Sequence, residues 1–151
     1  MIARSFCTLV TALLALVLGQ SAVAGGETVY PSQKYPDFPF SEAVAYNGVL
    51  YLSGELGTGP DGKLVSGGIG PESRQTMENI KASLARRDLA MDDIIKCTVF
   101  LADIGEWPIF NQAYAAYFEK GRYPARSALG ASGLALGARV EVECMAAMAK
   151  D

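Results

Sequence analysis

Tyr123-Pro124-Ala125-Arg126-Ser127-Ala128, taken together with Val140-Glu141-Val142-Glu143-Cys144, decides how this chain is read. Both runs have the character of strands in a core sheet. In the second, alternation puts Val140, Val142 and Cys144 on one face and Glu141 and Glu143 on the other. Two acids that face the same way need either water or a cation. Arg126 is the nearest cation in a comparable setting, and Pro124 fixes the backbone just ahead of it. An arginine fork fits a carboxylate with two parallel hydrogen bonds. A carboxylate can take a proton from water and return it to a leaving nitrogen. Together they suit hydrolysis of a small acid beside its own carboxylate. The plainer alternative is a structural ion pair at a sheet or subunit contact. On these two runs alone that alternative is favoured.

Working outward, Ala43 to Tyr46 and Val49 to Ser53 are apolar runs joined through Asn47-Gly48, a strong hairpin signal. Ser53-Gly54-Glu55 ends the second of them, and the glycine-rich stretch from Gly57 to Gly70 reads as turns. Pro71 suits the first turn of a helix, with Glu72 at its positive end. Met77, Ile80 and Leu84 carry that helix at core-facing spacing to about Leu89. Asp92 caps a short turn into a β-branched strand, Ile94 to Leu101. Trp107-Pro108 opens a second helix with Phe110, Tyr114, Tyr117 and Phe118 on its apolar face, and Gly121 ends it. Asn111 on this helix reads as a solvent-facing or capping residue. Strands from Arg126 to about Ala131 and from Ala138 to about Met148 close the chain, and Gly25 to Pro39 reads as a tail with a short edge strand. The predicted architecture is α+β, a single sheet with two helices on one face. The other face then needs cover, and a partner subunit in a symmetric oligomer supplies it.

The length of 151 residues fits one domain once residues 1–24 are set aside. There Arg4 precedes an apolar run from Phe6 to Leu18, and Ala22-Val23-Ala24 ends the segment. That is the layout of a secretory signal peptide, too short for a membrane span. Residues 25–151 would form the mature domain, secreted or periplasmic and with no stable membrane anchor. Removing Arg4 and no acid takes the net charge from −3 to −4, which argues against a nucleic-acid partner. The chain contains no histidine. This excludes a His-assisted serine or cysteine nucleophile and a His-ligated zinc site. No phosphate loop of standard spacing appears. No metal and no nucleotide cofactor are expected. Cys97 and Cys144 both lie in apolar strand-like runs. Buried thiols are the expectation, although an exported chain also permits their pairing.

Several short motifs in order then carry a resemblance. They are Phe38-Pro39-Phe40-Ser41-Glu42-Ala43-Val44, Leu52-Ser53-Gly54-Glu55, Asn79-Ile80, Asn111-Gln112-Ala113-Tyr114, Pro124-Ala125-Arg126-Ser127 and Val140-Glu141-Val142-Glu143. With these the chain, from about Phe38 to Ala149, resembles the RidA (YjgF/YER057c/UK114) family. The resemblance implies a chorismate-mutase-like fold assembled as a homotrimer, with ligand clefts between subunits. It implies hydrolysis of reactive enamines and imines, such as 2-aminoacrylate and 2-iminopropanoate, to 2-oxo acids and ammonia without a cofactor. Arg126 matches the residue that grips the substrate carboxylate, and Glu141 the acid that activates water. Phe40, Ser53, Gly54, Asn111 and Ala128 fall on positions that line the cleft. Phe40 stands where the family often has tyrosine, Glu42 and Glu55 where glutamine is common, and Ala128 where cysteine or serine is frequent. A cleft with less hydroxyl and more acid points to a different substrate preference. Two alternatives stand beside the deaminase: a non-catalytic small-carboxylate-binding or holdase-type protein on the same trimer, and an endoribonuclease. The acidic charge and the lack of histidine weigh against the latter.

Overall fold

The computed structural model describes residues 26–148. The leader expected over residues 1–24 lies outside the described residues. Nine regular elements follow in order: β1 (Thr28–Pro31), β2 (Ser41–Tyr46), β3 (Val49–Leu52), β4 (Glu55–Leu56), α1 (Ile69–Ala85), β5 (Ile94–Leu101), α2 (Trp107–Ala115), β6 (Ala125–Gly130) and β7 (Val140–Ala147). The strands form one sheet in the order β1-β2-β3-β7-β5-β6, and β4 pairs with β7 beside β3. Only β5 and β6 run parallel, because α2 forms the crossover between them. The predicted α+β arrangement is the one observed, with two helices packed on one face of a mixed sheet.

Alternation along β7 decides which face is which. Val140, Val142, Cys144 and Ala146 are fully buried under the helices, while the residues between them are half-buried on the other side. Leu50, Met77, Ile80, Leu84, Val99 and Phe110 complete the core. Register carries Tyr46, Tyr51, Phe100, Leu129 and Met145 to the helix-free face. Tyr46, Tyr51 and Leu129 are 51%, 42% and 43% exposed, so that face is left as an uncovered apolar surface.

Asn47 and Gly48 take φ of 49° and 76°, the left-handed pair a tight hairpin needs, so β2 and β3 meet as predicted. Four boundaries differ from expectation. Ser53 does not end the pairing, because Glu55 and Leu56 re-enter the sheet against Val142 and Glu141. Helix α1 begins at Ile69 and stops at Ala85 rather than about Leu89. There the Leu89 N–H donates to the Leu84 carbonyl at 3.1 Å, with Asp88 at φ 57°, a left-handed closure usually given to glycine. Helix α2 ends at Ala115, well before Gly121, and Tyr117 and Phe118 continue in tighter turns bonded to Tyr114 and Ala115. Asp93, rather than Asp92, closes the turn before β5 by accepting from the Ala90 N–H at 2.7 Å.

The cysteines are also corrected. Cys97 and Cys144 are register partners on β5 and β7 and form a disulfide, S–S 2.01 Å. Their separation of 47 residues hid this from the sequence, since only the pairing of the two strands brings the thiols face to face.

One buried acid ties the layers together. Glu72, in the first turn of α1, is 4% exposed, and its Oε1 accepts from the Arg139 and Val140 N–H groups at 2.7 and 3.3 Å. Those are the backbone groups at the start of β7, so α1 anchors the strand that carries Glu141.

Candidate active site

The structure sorts the predicted site residues into two groups, Arg126, Asn111 and Ala128 beside α2 and Phe40, Ser53, Gly54 and Glu141 around a cavity next to β4, and it aims Arg126 and Glu141 to opposite sides of the sheet. Arg126 is the register partner of Cys97 and Glu141 that of Phe100. Cys97 and Phe100 are an odd number of positions apart on one strand, so their neighbours project to opposite sides. A single chain therefore does not bring Arg126 and Glu141 together.

The first group lies on the helix side. Arg126 Nη2 donates to Asn111 Oδ1 at 2.7 Å, so Asn111 is neither a cap nor a solvent-facing bystander. The guanidinium sits 4.7 Å from the Tyr114 ring centre and 5.8 Å from that of Phe110, within cation–π range. Burial pushes the Tyr114 hydroxyl up to about 12, against the pull of Arg126, so the ring stays neutral under the cation. Ala128, two residues along β6, packs at the edge of the core on this same side. Helix α2 thus aims the arginine: one hydrogen bond and two ring faces hold it, and no carboxylate pairs with it among the described residues. Within one chain, the sheet-contact ion pair considered from sequence does not form among the described residues.

The second group surrounds a cavity of ≈ 780 Å³ lined by Phe40, Ser53, Gly54 and Glu141, with Glu55, Leu136 and Asn79. Burial and the neighbouring Glu143 raise the Glu141 carboxyl above the ordinary carboxylate range. Gly54 makes room for it, since a Cβ built there would lie 2.0 Å from Glu141 Oε1. The Ser53 hydroxyl donates to the Ser41 carbonyl at 2.7 Å and so braces the wall. Phe40 packs against Tyr35 and Phe38 with ring centres 6.3 and 5.9 Å away and makes an aromatic rim. Asn79 was legible only as part of a motif. Its Nδ2 donates to the Leu56 and Thr58 carbonyls at 2.8 and 3.0 Å, pinning β4 and hence Gly54 to α1. Leu136 and Lys34 also line the cavity without any sequence signal. Among the described residues no group of three or more metal-ligating side chains converges.

The atom that a Cβ at position 54 would meet is the far end of a flexible side chain. Gly54→Ala is therefore expected to cost less than about 1 kcal/mol in urea unfolding, since the acid can swing aside. Its mark should be on Glu141, whose carboxyl pKa, followed by NMR, should move back toward the ordinary carboxylate value as it leaves its half-buried position. An unchanged Glu141 titration would contradict this packing.

Residues 32–148 match the family model described as endoribonuclease L-PSP. Protein HMF1 of Saccharomyces cerevisiae is 39% identical over 108 residues, covering 72% of this chain and 83% of that protein. The 2-iminobutanoate/2-iminopropanoate deaminase of Homo sapiens is 38% identical over 109 residues, covering 72% of this chain and 79% of its own. The crystal structure of a protein of the conserved Rid family from Yersinia pestis superposes with a TM-score of 0.74 at 37% identity, covering 81% of this chain and 99% of that one. An arginine aimed by Asn111, an acid seated against Gly54 and these matches over most of the described chain agree: the protein belongs to the RidA family.

Proposed function

We propose that this protein is an exported hydrolase of 2-imino acids and their enamine tautomers, converting compounds such as 2-iminopropanoate to 2-oxo acids and ammonia. It works as a homotrimer in which Arg126 of one subunit faces the Glu141 cavity of the next. The observation that carries this reading is the pair of half-sites. One is a cation held ready with no carboxylate partner among the described residues; the other is a half-buried acid in a ligand-sized cavity. The uncovered apolar face gives a physical reason for subunits to assemble. The Cys97–Cys144 disulfide supports an oxidising compartment, and hence export. The human relative named 2-iminobutanoate/2-iminopropanoate deaminase supports the reaction class.

In this mechanism Arg126 grips the substrate carboxylate through its fork, which turns the imine carbon toward a water molecule. Glu141 takes a proton from that water as the C–O bond forms, giving a tetrahedral carbinolamine. That proton passes to the nitrogen and completes the carbinolamine; the Glu141 carboxylate then relays the carbinolamine's hydroxyl proton to the same nitrogen, so that the C–N bond breaks and ammonia leaves as the C=O forms. Only the ionised Glu141 can act as base. Because its carboxyl is raised by burial and by Glu143, activity should climb with pH through a value above the usual glutamate range.

The test generates 2-iminopropanoate with an amino-acid oxidase and traps it with semicarbazide. Added protein should speed the loss of trappable imine, and Glu141→Ala should remove the acceleration. If the parent protein gives no acceleration while pyruvate still binds, the protein is a small-carboxylate binder and the hydrolase reading fails.

A further inference from the structure

The cavity that holds Glu141 holds a second acid that the mechanism does not use. Glu55 lies directly after Gly54 and is the register partner of Val142, while Leu56 pairs with Glu141. Glu55 is half-buried and lines the cavity. No described residue hydrogen-bonds its carboxyl. The charged groups around it come from every element packed there: Lys34 from the segment before β2, Glu42 from β2, Arg86 from the C-terminal cap of α1 and Glu141 from β7. Arg86 is engaged by Glu42, and Lys34 Nζ donates to Thr58 Oγ1 at 2.5 Å, so neither cation is bound to Glu55. Glu42 faces α1 because it is the extra residue of a bulge, where Tyr30 pairs with Ala43 but Pro31 with Ser41.

We infer that Glu55 is a specificity-determining residue of this cavity, turning away 2-imino acids whose side chain ends in a second carboxylate and admitting those with uncharged or cationic side chains. The inference rests on the imine-hydrolase reading, which fixes the substrate's own carboxylate at Arg126 and its reacting carbon at Glu141. The side chain then extends past Gly54 into the rest of the ≈ 780 Å³, far more room than an imine of alanine fills. A second carboxylate there meets Glu55 and Glu42 in a partly desolvated space, where like charges repel strongly. Burial, set against Lys34 and Arg86 and aided by Glu42, pushes the Glu55 carboxyl up to about 7. The group is neutral below that pH and charged above it, so the exclusion is weak in acid and strong in base.

The test reads binding of the product class and therefore does not depend on turnover. Calorimetric affinities for pyruvate and for 2-oxoglutarate are compared at about pH 5.5 and about pH 8.5, in the parent and in Glu55→Gln. In the parent, the preference for pyruvate over 2-oxoglutarate should grow about tenfold between the two pH values. In Glu55→Gln that ratio should be independent of pH. A parent ratio that does not change with pH, a variant that keeps the change, or failure of pyruvate to bind overturns the inference. Hydrolysis of 2-iminopropanoate with no Glu55-dependent ratio sinks the inference alone. The Glu55-dependent ratio without any hydrolysis sinks the hydrolase reading alone.

Discussion

Mixing Arg126→Ala subunits with Glu141→Ala subunits is expected to restore imine hydrolysis that neither variant shows alone. Each variant by itself should lose at least about a hundredfold in kcat/KM, because one lacks the carboxylate clamp and the other the base. The register leaves no other arrangement within one chain. Arg126 shares its side of the sheet with Cys97 and the helices, and Glu141 projects from the other side. If neighbouring protomers bring the two together, a site needs Arg126 from one copy and Glu141 from the next. Random reassortment of the two variants into cyclic trimers then produces about a quarter of sites with both groups intact. Activity near about a quarter of the parent value is the expected yield after unfolding and refolding the mixture. Differently tagged subunits, co-purified, establish that exchange took place. Complete exchange with no recovered activity would mean that the catalytic groups are not shared between subunits.

Replacing both cysteines, as Cys97→Ala with Cys144→Ala, is expected to destabilise the fold by about 2–4 kcal/mol, the range typical of a disulfide that closes a long loop. The bond spans 47 residues, including all of α2 and β6. Cross-linking that loop removes many conformations from the unfolded chain, and this entropy is lost as a stabilising contribution when the bond goes. Urea unfolding followed by circular dichroism measures it directly, with the parent under a strong reductant as a second arm that leaves the side chains otherwise intact. Both arms should agree. A loss below about 1 kcal/mol in both would show that strand pairing alone holds β5 to β7. Cys97 is also the register partner of Arg126, so the variant should loosen the arginine's hold on ligand more than it affects Glu141.

Much of the fold was legible because its signals are local. The Asn47-Gly48 turn, the stripe of Met77, Ile80 and Leu84 and the alternation of Val140, Val142 and Cys144 each depend on neighbours a few residues away. What was misjudged depends on partners far along the chain. Glu55 and Leu56 form a strand only because β7 lies beside them, nearly ninety residues later. Asp88 ends α1 in a left-handed conformation that composition does not announce. Asn111 looked like a surface residue until β6 delivered Arg126 to it.

The candidate site divides along the same line. Residue type and order alone determined that an arginine and an acid occupy two of the strands of an α+β sheet and that histidine chemistry is excluded, while the motifs shared with the family pointed to Phe40, Ser53 and Gly54 beside the acid. Only the tertiary structure decided that Arg126 and Glu141 project from opposite faces, that Gly54 yields its side-chain space to Glu141, and that the two cysteines are bonded. The physical reason is strand register: a shift of one residue exchanges the faces of a whole strand, and no local pattern in the chain encodes which residue of a distant strand it will meet.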